Sequence, residues 1–142
     1  MALRTEFTLD AANARGAGYL PGLFGFRVVA ISDERVEAEI DVRADIRAPN
    51  GYLHAAAVVA LADTSCGYGC LAHLPGDASN FTTIELKTNF LGTAREGTIA
   101  CTARPVHLGR TTQVWDASVF RRSDQRTIAL FRCTQMILYG AS

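Results

Sequence analysis

One carboxylate, Asp63, stands alone in the most apolar stretch of the sequence, residues 53–72. A carboxylate within an apolar helix is costly unless it is paired or used, and burial favours its protonated form. Such a group can take a proton from water or attack an electrophilic carbon. Asp63 is therefore the first candidate for a functional residue. The competing interpretation is a structural carboxylate bonded to the backbone, to Thr64 or to Ser65.

His54 lies nine positions before Asp63, at the start of the same stretch. At about 100° per residue, this spacing puts the two side chains on opposite helix faces, ~13.5 Å apart along the axis. They cannot form a catalytic pair within one chain, so a site that uses both needs two chains. The face of Asp63 has room for a second chain, because its neighbours are apolar and mostly small. They are Ala56, Val59, Ala60 and Gly67.

The start of the helix near His54 is a second candidate. A helix N-terminus presents unpaired N–H groups and the positive end of the helix dipole. Both suit an oxygen that gains negative charge during a reaction, and such a donor typically lowers the barrier by roughly 3–4 kcal/mol. His54 could instead serve only as the helix cap or as a core histidine.

The elements around these residues predict an α+β fold. An apolar helix is predicted from His54 to about Leu74, ended by Pro75-Gly76. Residues 8–15 suggest a short helix within an N-terminal extension, residues 1–23, in which Pro21-Gly22 makes a turn. Alternating or apolar runs predict six strands with connections short enough for antiparallel pairing. They are residues 24–32, 35–42, 81–91, 98–107, 111–121 and 127–139.

One long helix and about six antiparallel strands favour a curved sheet that wraps around the helix, in a single domain spanning residues 1–142. By simple alternation, Thr83 and Glu85 are expected on the same side of their strand. The four cysteines favour small buried hydrophobic residues over half of a metal site.

Composition narrows the function. Lys plus Arg and Asp plus Glu both number 14, so the basic surface of a nucleic-acid-binding protein is missing. The apolar stretch is long enough to span a membrane, but it carries His54 and Asp63, which argues against that. The first residues contain no continuous apolar segment, and we expect a cytoplasmic protein.

Four segments come in a recognisable order and carry a resemblance. They are residues 50–56 (Asn-Gly-Tyr-Leu-His-Ala-Ala), 61–63 (Leu-Ala-Asp), 83–90 (Thr-Ile-Glu-Leu-Lys-Thr-Asn-Phe) and 107–112 (His-Leu-Gly-Arg-Thr-Thr). Together they resemble the hot-dog-fold acyl-CoA thioesterases, especially the branch typified by phenylacetate-pathway thioesterases. The resemblance covers residues 26–139, which is most of the chain.

The resemblance implies hydrolysis of an acyl-CoA to CoA and a free acid. It assigns the oxyanion N–H to Ala55, the general base or nucleophile to Asp63 and an assisting hydroxyl to Thr83. His54 and Asn50 would orient the water or thioester. In this family a basic residue often contacts the phosphates of CoA at the turn that is here Gly109, Arg110 and Thr111, and arginine suits phosphate. The resemblance implies no metal or redox cofactor, and a homodimer with shared sites, in a dimer of dimers.

The chain departs from the family pattern twice. The family's Gly-Gly after the histidine is Ala55-Ala56, and its amide residue six positions before the histidine is Ala48. Asn50 stands only four positions before His54. Two alternatives therefore stay open: a non-catalytic acyl-CoA-binding protein, favoured by the two alanine methyls, and a hot-dog dehydratase, whose proline-rich histidine motif is missing here.

Overall fold

The structure, a computed structural model, describes residues 3–141. The helices are α1 (Leu9–Arg15), α2 (Leu20–Leu23) and α3 (Ala55–Ala72), with a 3-10 helix at Ala44–Ile46. The strands are β1 (Arg27–Ile31), β2 (Val36–Asp41), β3 (Ala78–Phe90), β4 (Thr98–Leu108), β5 (Thr112–Arg121) and β6 (Thr127–Tyr139). The prediction of one long helix and six strands is confirmed.

All six strands form one antiparallel sheet in the order β1-β2-β4-β5-β6-β3. The central helix α3 packs against β2 through β6, as the predicted hot-dog arrangement requires. Along β5, buried residues alternate with half-exposed ones, so one face of the sheet covers the helix. The order leaves β1 and β3 at the two edges, and β3 is by far the longer edge strand.

Helix α3 has the length and composition of a membrane span, yet 11 of its 18 residues are buried inside the fold. Glycines allow this close packing. A Cβ at Gly69 would come within 2.5 Å of the Trp115 ring, and one at Gly67 within 3.1 Å of Phe81. The helix therefore lies directly on the sheet, and its buried faces are held by strand side chains.

Two local predictions were wrong. Pro21-Gly22 does not make a turn but lies within α2, because proline is well tolerated in the first turn of a helix. Thr83 and Glu85 do not share a side of β3. Thr83 pairs with Gln135 and Glu85 with Thr134, so Ile84 is an extra residue in a β-bulge. A bulge inserts one residue and reverses the alternation beyond it.

Candidate active site

The first turn of α3 has one backbone N–H without an acceptor. His54 caps the helix, and its Nδ1 accepts a hydrogen bond from the Ala56 N–H at 2.9 Å. The N–H groups of Ala57 and Val58 both donate to the His54 carbonyl. Within residues 3–141, the Ala55 N–H has no acceptor. Ala55 is exposed, so this N–H can donate to a ligand at the positive end of the helix dipole.

The loop before the helix holds this geometry in place. The His54 N–H donates to the Ile46 carbonyl at 3.1 Å, and the Leu53 N–H donates to the Ala94 carbonyl at 2.8 Å. The Asn50 Oδ1 accepts a hydrogen bond from the Tyr52 N–H at 3.1 Å, which leaves its amide nitrogen for other partners. Gly51 has φ of 89°, a conformation that glycine adopts without strain. Asn50 therefore shapes the loop that leads to the helix.

A cleft of about 180 Å³ opens beside the helix start. The residues that line it are Phe24, Asp45, Ile46, Arg47, His54, Ala56 and Ala57. The lining is mainly apolar and carries one positive and one negative side chain, so the cleft suits the apolar part of a ligand beside the helix start.

Asp63 lies in the middle of α3 and is half-buried. Its Oδ1 is fully buried and accepts no hydrogen bond within the described residues. Burial raises the pKa of the Asp63 carboxyl above its ordinary value. Asp63 Oδ1 is therefore not the bonded oxygen of a structural carboxylate. The nearby Ser65 hydroxyl does not bond to it but donates to the Leu61 carbonyl at 2.7 Å. Asp63 thus has one carboxylate oxygen that no group of the described chain satisfies.

The face of α3 that carries Asp63 is turned toward β3. Residues four apart share a helix face, and Gly67, four after Asp63, packs against Phe81 of β3. Helix α3 is unbroken from Ala55 to Ala72, so Asp63 lies about two turns, roughly 12 Å along the axis, beyond Ala55. One chain alone does not bring Asp63 to the Ala55 N–H.

Thr83 is engaged within its own chain. Its hydroxyl donates to Oε1 of the buried Gln135 at 2.7 Å, so its proton is not available to a ligand. Another hydroxyl of β3, that of Thr88, is buried with no partner in the described part of the chain. Reasoning from the sequence missed Thr88, because simple alternation from Thr83 puts it on the other side. The bulge at Ile84 reverses that assignment.

Gly109, Arg110 and Thr111 form the turn between β4 and β5, near the C-terminal end of α3. Arg110 Nη2 lies 3.1 Å from Asp77 Oδ2, and the Tyr139 hydroxyl donates to the Arg110 carbonyl. Glycine is favoured at position 109, because a Cβ there would lie 2.9 Å from the backbone carbonyl oxygen of Thr112. An 18-residue helix is about 27 Å long. The turn and the helix start are therefore at opposite ends of one chain.

The four cysteines are buried free thiols, as predicted from the sequence. Burial raises the pKa of the Cys70 and Cys101 thiols to about 12, so they are protonated and inert. Among residues 3–141, no group of three or more His, Cys, Asp or Glu side chains is arranged to hold a metal ion.

Known proteins match this chain over most of its length. The family model of the thioesterase superfamily matches residues 50–128. A 1,4-dihydroxy-2-naphthoyl-CoA hydrolase of Escherichia coli (strain K12) is 32% identical over 123 residues, 84% of this chain and 88% of that protein. A mutant thioesterase from Pseudomonas aeruginosa matches with a TM-score of 0.92 and 28% identity, over 99% of this chain and 100% of that one. A thioesterase family protein from Silicibacter pomeroyi matches with a TM-score of 0.81 and 32% identity, over 93% and 96%.

Proposed function

The chain belongs to the thioesterase superfamily and is a thioester hydrolase, and we propose that it splits an acyl-CoA with Asp63 as the reacting carboxylate. The observation that carries this proposal is the buried Asp63 Oδ1, which has no partner within residues 3–141. A raised carboxyl pKa makes Asp63 a better proton acceptor than an exposed aspartate. The alternative chemistry is direct attack by Asp63 on the thioester.

In the general-base reaction, Asp63 takes a proton from water while the water oxygen bonds to the thioester carbon. The carbonyl oxygen becomes an oxyanion and accepts a hydrogen bond from the Ala55 N–H. The tetrahedral centre then expels the CoA sulfur, which receives the proton from the Asp63 carboxyl. The products are free CoA and a carboxylic acid. His54 supports this reaction by holding the Ala56 N–H and fixing the first turn.

A panel of acyl-CoA substrates with a thiol-detecting dye tests the proposed function. The Escherichia coli relative is named for a bicyclic aromatic acyl-CoA, so the panel should contain aromatic, short-chain and medium-chain acyl groups. Release of thiol from at least one class is expected. Conversion of a 3-hydroxyacyl or enoyl thioester without thiol release would instead favour the dehydratase. Binding without release would favour an acyl-CoA-binding protein.

We propose that the site is completed by a second copy of this chain, docked along β3. One side of β3 pairs with β6, and its other side has no partner among residues 3–141. An edge strand of 13 residues exposes unpaired backbone groups, and it promotes aggregation unless another element or chain covers it. Its apolar side chains are also exposed: Ile84 at 56%, Leu86 at 44% and Phe90 at 49%. We further propose that two such dimers associate.

Mixing two inactive variants tests the shared site. Asp63→Asn removes the carboxylate and Ala55→Pro removes the N–H, each from one half of the site. A mixed dimer keeps one intact site, so random exchange of equal amounts should restore about a quarter of wild-type activity. The measurement is thiol release after the subunits are exchanged in mild denaturant. Mixtures that stay as inactive as either parent would mean that each chain builds its own site.

Arg110 is proposed to bind a CoA phosphate in the site that the partner's helix start forms. The side chain of Arg110 is 70% exposed and that of Asp77 is 63% exposed, so their ion pair contributes little to stability. The guanidinium of Arg110 can therefore bind a ligand. Arg110→Ala should raise KM roughly tenfold with kcat retained, as for loss of one charge-assisted hydrogen bond of about 1.5 kcal/mol. Steady-state kinetics measures this. Arg104→Ala, an exposed arginine on β4, is the control, and an equal change in both would exclude a specific contact.

A further inference from the structure

Asp63 is not the only residue with a buried, unpartnered oxygen. In the described part of the chain two side-chain oxygens are in this state, Asp63 Oδ1 and Thr88 Oγ1. A buried hydroxyl without a partner costs roughly 1–3 kcal/mol, and a valine of the same shape would avoid that cost. Such a group in a native structure needs a reason. Nothing within residues 3–141 supplies one for Thr88.

Contacts between the helix and the sheet indicate which part of β3 lies opposite Asp63. The Cys66 and Cys133 thiols are neighbours in the core, and Cys133 pairs with Leu86 of β3. Toward the C-terminal end of the helix, Cys70 packs in one cluster with Ile137, the partner of Phe81.

The two elements therefore run in opposite directions, so that moving toward the start of α3 corresponds to moving toward the end of β3. One turn back from Cys66 along the helix is Asp63. One inward step beyond Leu86 on the strand is Thr88, which pairs with the buried Phe131. Both unpartnered oxygens thus lie between α3 and β3, on the side of the molecule where β3 is open.

Thr83, the other inward hydroxyl of this strand, differs in its bonding. Its proton is held by Gln135 Oε1 at 2.7 Å, and the inward residue before it on the strand, Phe81, packs against Gly67. A hydroxyl has one donor and two acceptor sites. Thr88 uses none of them within the described residues, whereas Thr83 has already committed its donor.

We propose that Thr88 binds the attacking water together with Asp63 of the same chain, an inference that rests on the proposed function. The water donates one proton toward the Asp63 carboxylate and the other to Thr88 Oγ1. This orients the lone pair of the water oxygen toward the thioester carbon. When the oxygen bonds to that carbon, its first proton passes to Asp63 and its second stays on the new acid until release. Thr88 is neither oxidised nor covalently changed.

The test compares Thr88→Val with Thr88→Ser in thiol release from the best acyl-CoA of the panel. Thr88→Val should lower kcat about tenfold to a hundredfold with KM unchanged, because a misplaced water reacts slowly. Thr88→Ser keeps the hydroxyl and should stay within about threefold of wild type. Thr82→Val, on the outward side of the same strand, is the matched control and should leave kcat unchanged. Thermal unfolding should show Thr88→Val as stable as wild type or more stable, and Thr88→Ala repeats the comparison if valine does not fit.

Two results would overturn the inference, and they can be told apart. If wild type hydrolyses an acyl-CoA and Thr88→Val keeps its kcat, Thr88 does not bind the water and the proposed function stands. A loss of kcat in Thr83→Val alone would point to that hydroxyl instead. If wild type releases no thiol from any acyl-CoA, the proposed function fails and the role of Thr88 fails with it.

Discussion

Replacing Asp63 by Asn is expected to lower kcat/KM by about 10²–10⁴-fold, the usual contribution of a general base. The amide has nearly the shape of the carboxylate but cannot accept the proton of water. Because the proton moves only in the reaction, the loss should be found in kcat, with KM little changed. Thiol release under steady-state conditions measures both constants. Asp116→Asn, on the outer face of the sheet and paired with Arg132, is the matched control.

The same substitution should leave the fold intact and make it more stable at neutral pH. Burial raises the pKa of Asp63 in the folded chain, so the folded state binds its proton more tightly than the unfolded state. The ionised carboxylate therefore destabilises the fold fully above the folded pKa. This cost disappears below the ordinary value of about 3.9.

Asp63→Asn should thus unfold at a higher urea concentration than wild type at pH 7, and the difference should shrink as the pH falls toward 3.9. Both proteins must be compared at one concentration, because dimer formation adds to stability. Near-normal hydrolysis by the variant would exclude Asp63 as base and as nucleophile. A lower midpoint at pH 7 would mean that the carboxylate has a stabilising partner.

Much of the fold could be predicted because its elements have strong local patterns. Strict alternation in residues 35–42 indicates a half-exposed strand, and β2 forms there. The apolar run closed by Pro75-Gly76 indicates the central helix, which forms two residues shorter at its C-terminal end. Asp63 is conspicuous for the same reason, because one carboxylate within that run has to be explained.

The details of the site depend on partners that lie far away in the sequence. The bulge at Ile84 forms only when β3 meets β6, so alternation within β3 alone assigns Glu85 to the wrong side and overlooks Thr88. The same pairing brings Gln135, 52 residues after Thr83, to its hydroxyl. The resemblance assigns roles by position along the chain, and it cannot state which hydroxyl is already bonded.

The helix start shows the opposite case, in which local sequence decides the chemistry. A histidine at the cap position accepts the Ala56 N–H, and the cap carbonyl accepts those of Ala57 and Val58. Only the Ala55 N–H then remains in this turn without an acceptor in the described chain. Ala55 and Ala56 are both exposed residues.

Ala55→Pro is expected to lower kcat by about 10²–10³-fold, the usual cost of removing one oxyanion donor. Proline has no N–H, so the substitution deletes the donor that no acceptor within residues 3–141 uses. It should also fit the fold. Ala55 is the first residue of α3, where proline is favoured. His54 has φ of −67° and ψ of 138°, in the region that precedes proline.

Two comparisons separate loss of the donor from damage to the helix. Ala55→Pro should be as stable as wild type, or more stable by about 0.4–1 kcal/mol, because proline restricts the unfolded chain. Ala55→Gly keeps the N–H and should retain activity, while losing up to about 1 kcal/mol of stability. A wild-type kcat in a folded Ala55→Pro enzyme would exclude Ala55 as the donor.

Whether a substitution changes kcat or KM also distinguishes an oxyanion donor from a substrate-binding residue. The oxyanion exists only as the thioester carbon becomes tetrahedral, so a donor to it acts on the transition state and the intermediate rather than on bound substrate. The Ala55→Pro defect should therefore be found in kcat, whereas that of Arg110→Ala should be found in KM. No other N–H of this turn can replace the missing donor, because His54 already holds those of Ala56, Ala57 and Val58. The cap that leaves one donor free thus also makes the site depend on that donor.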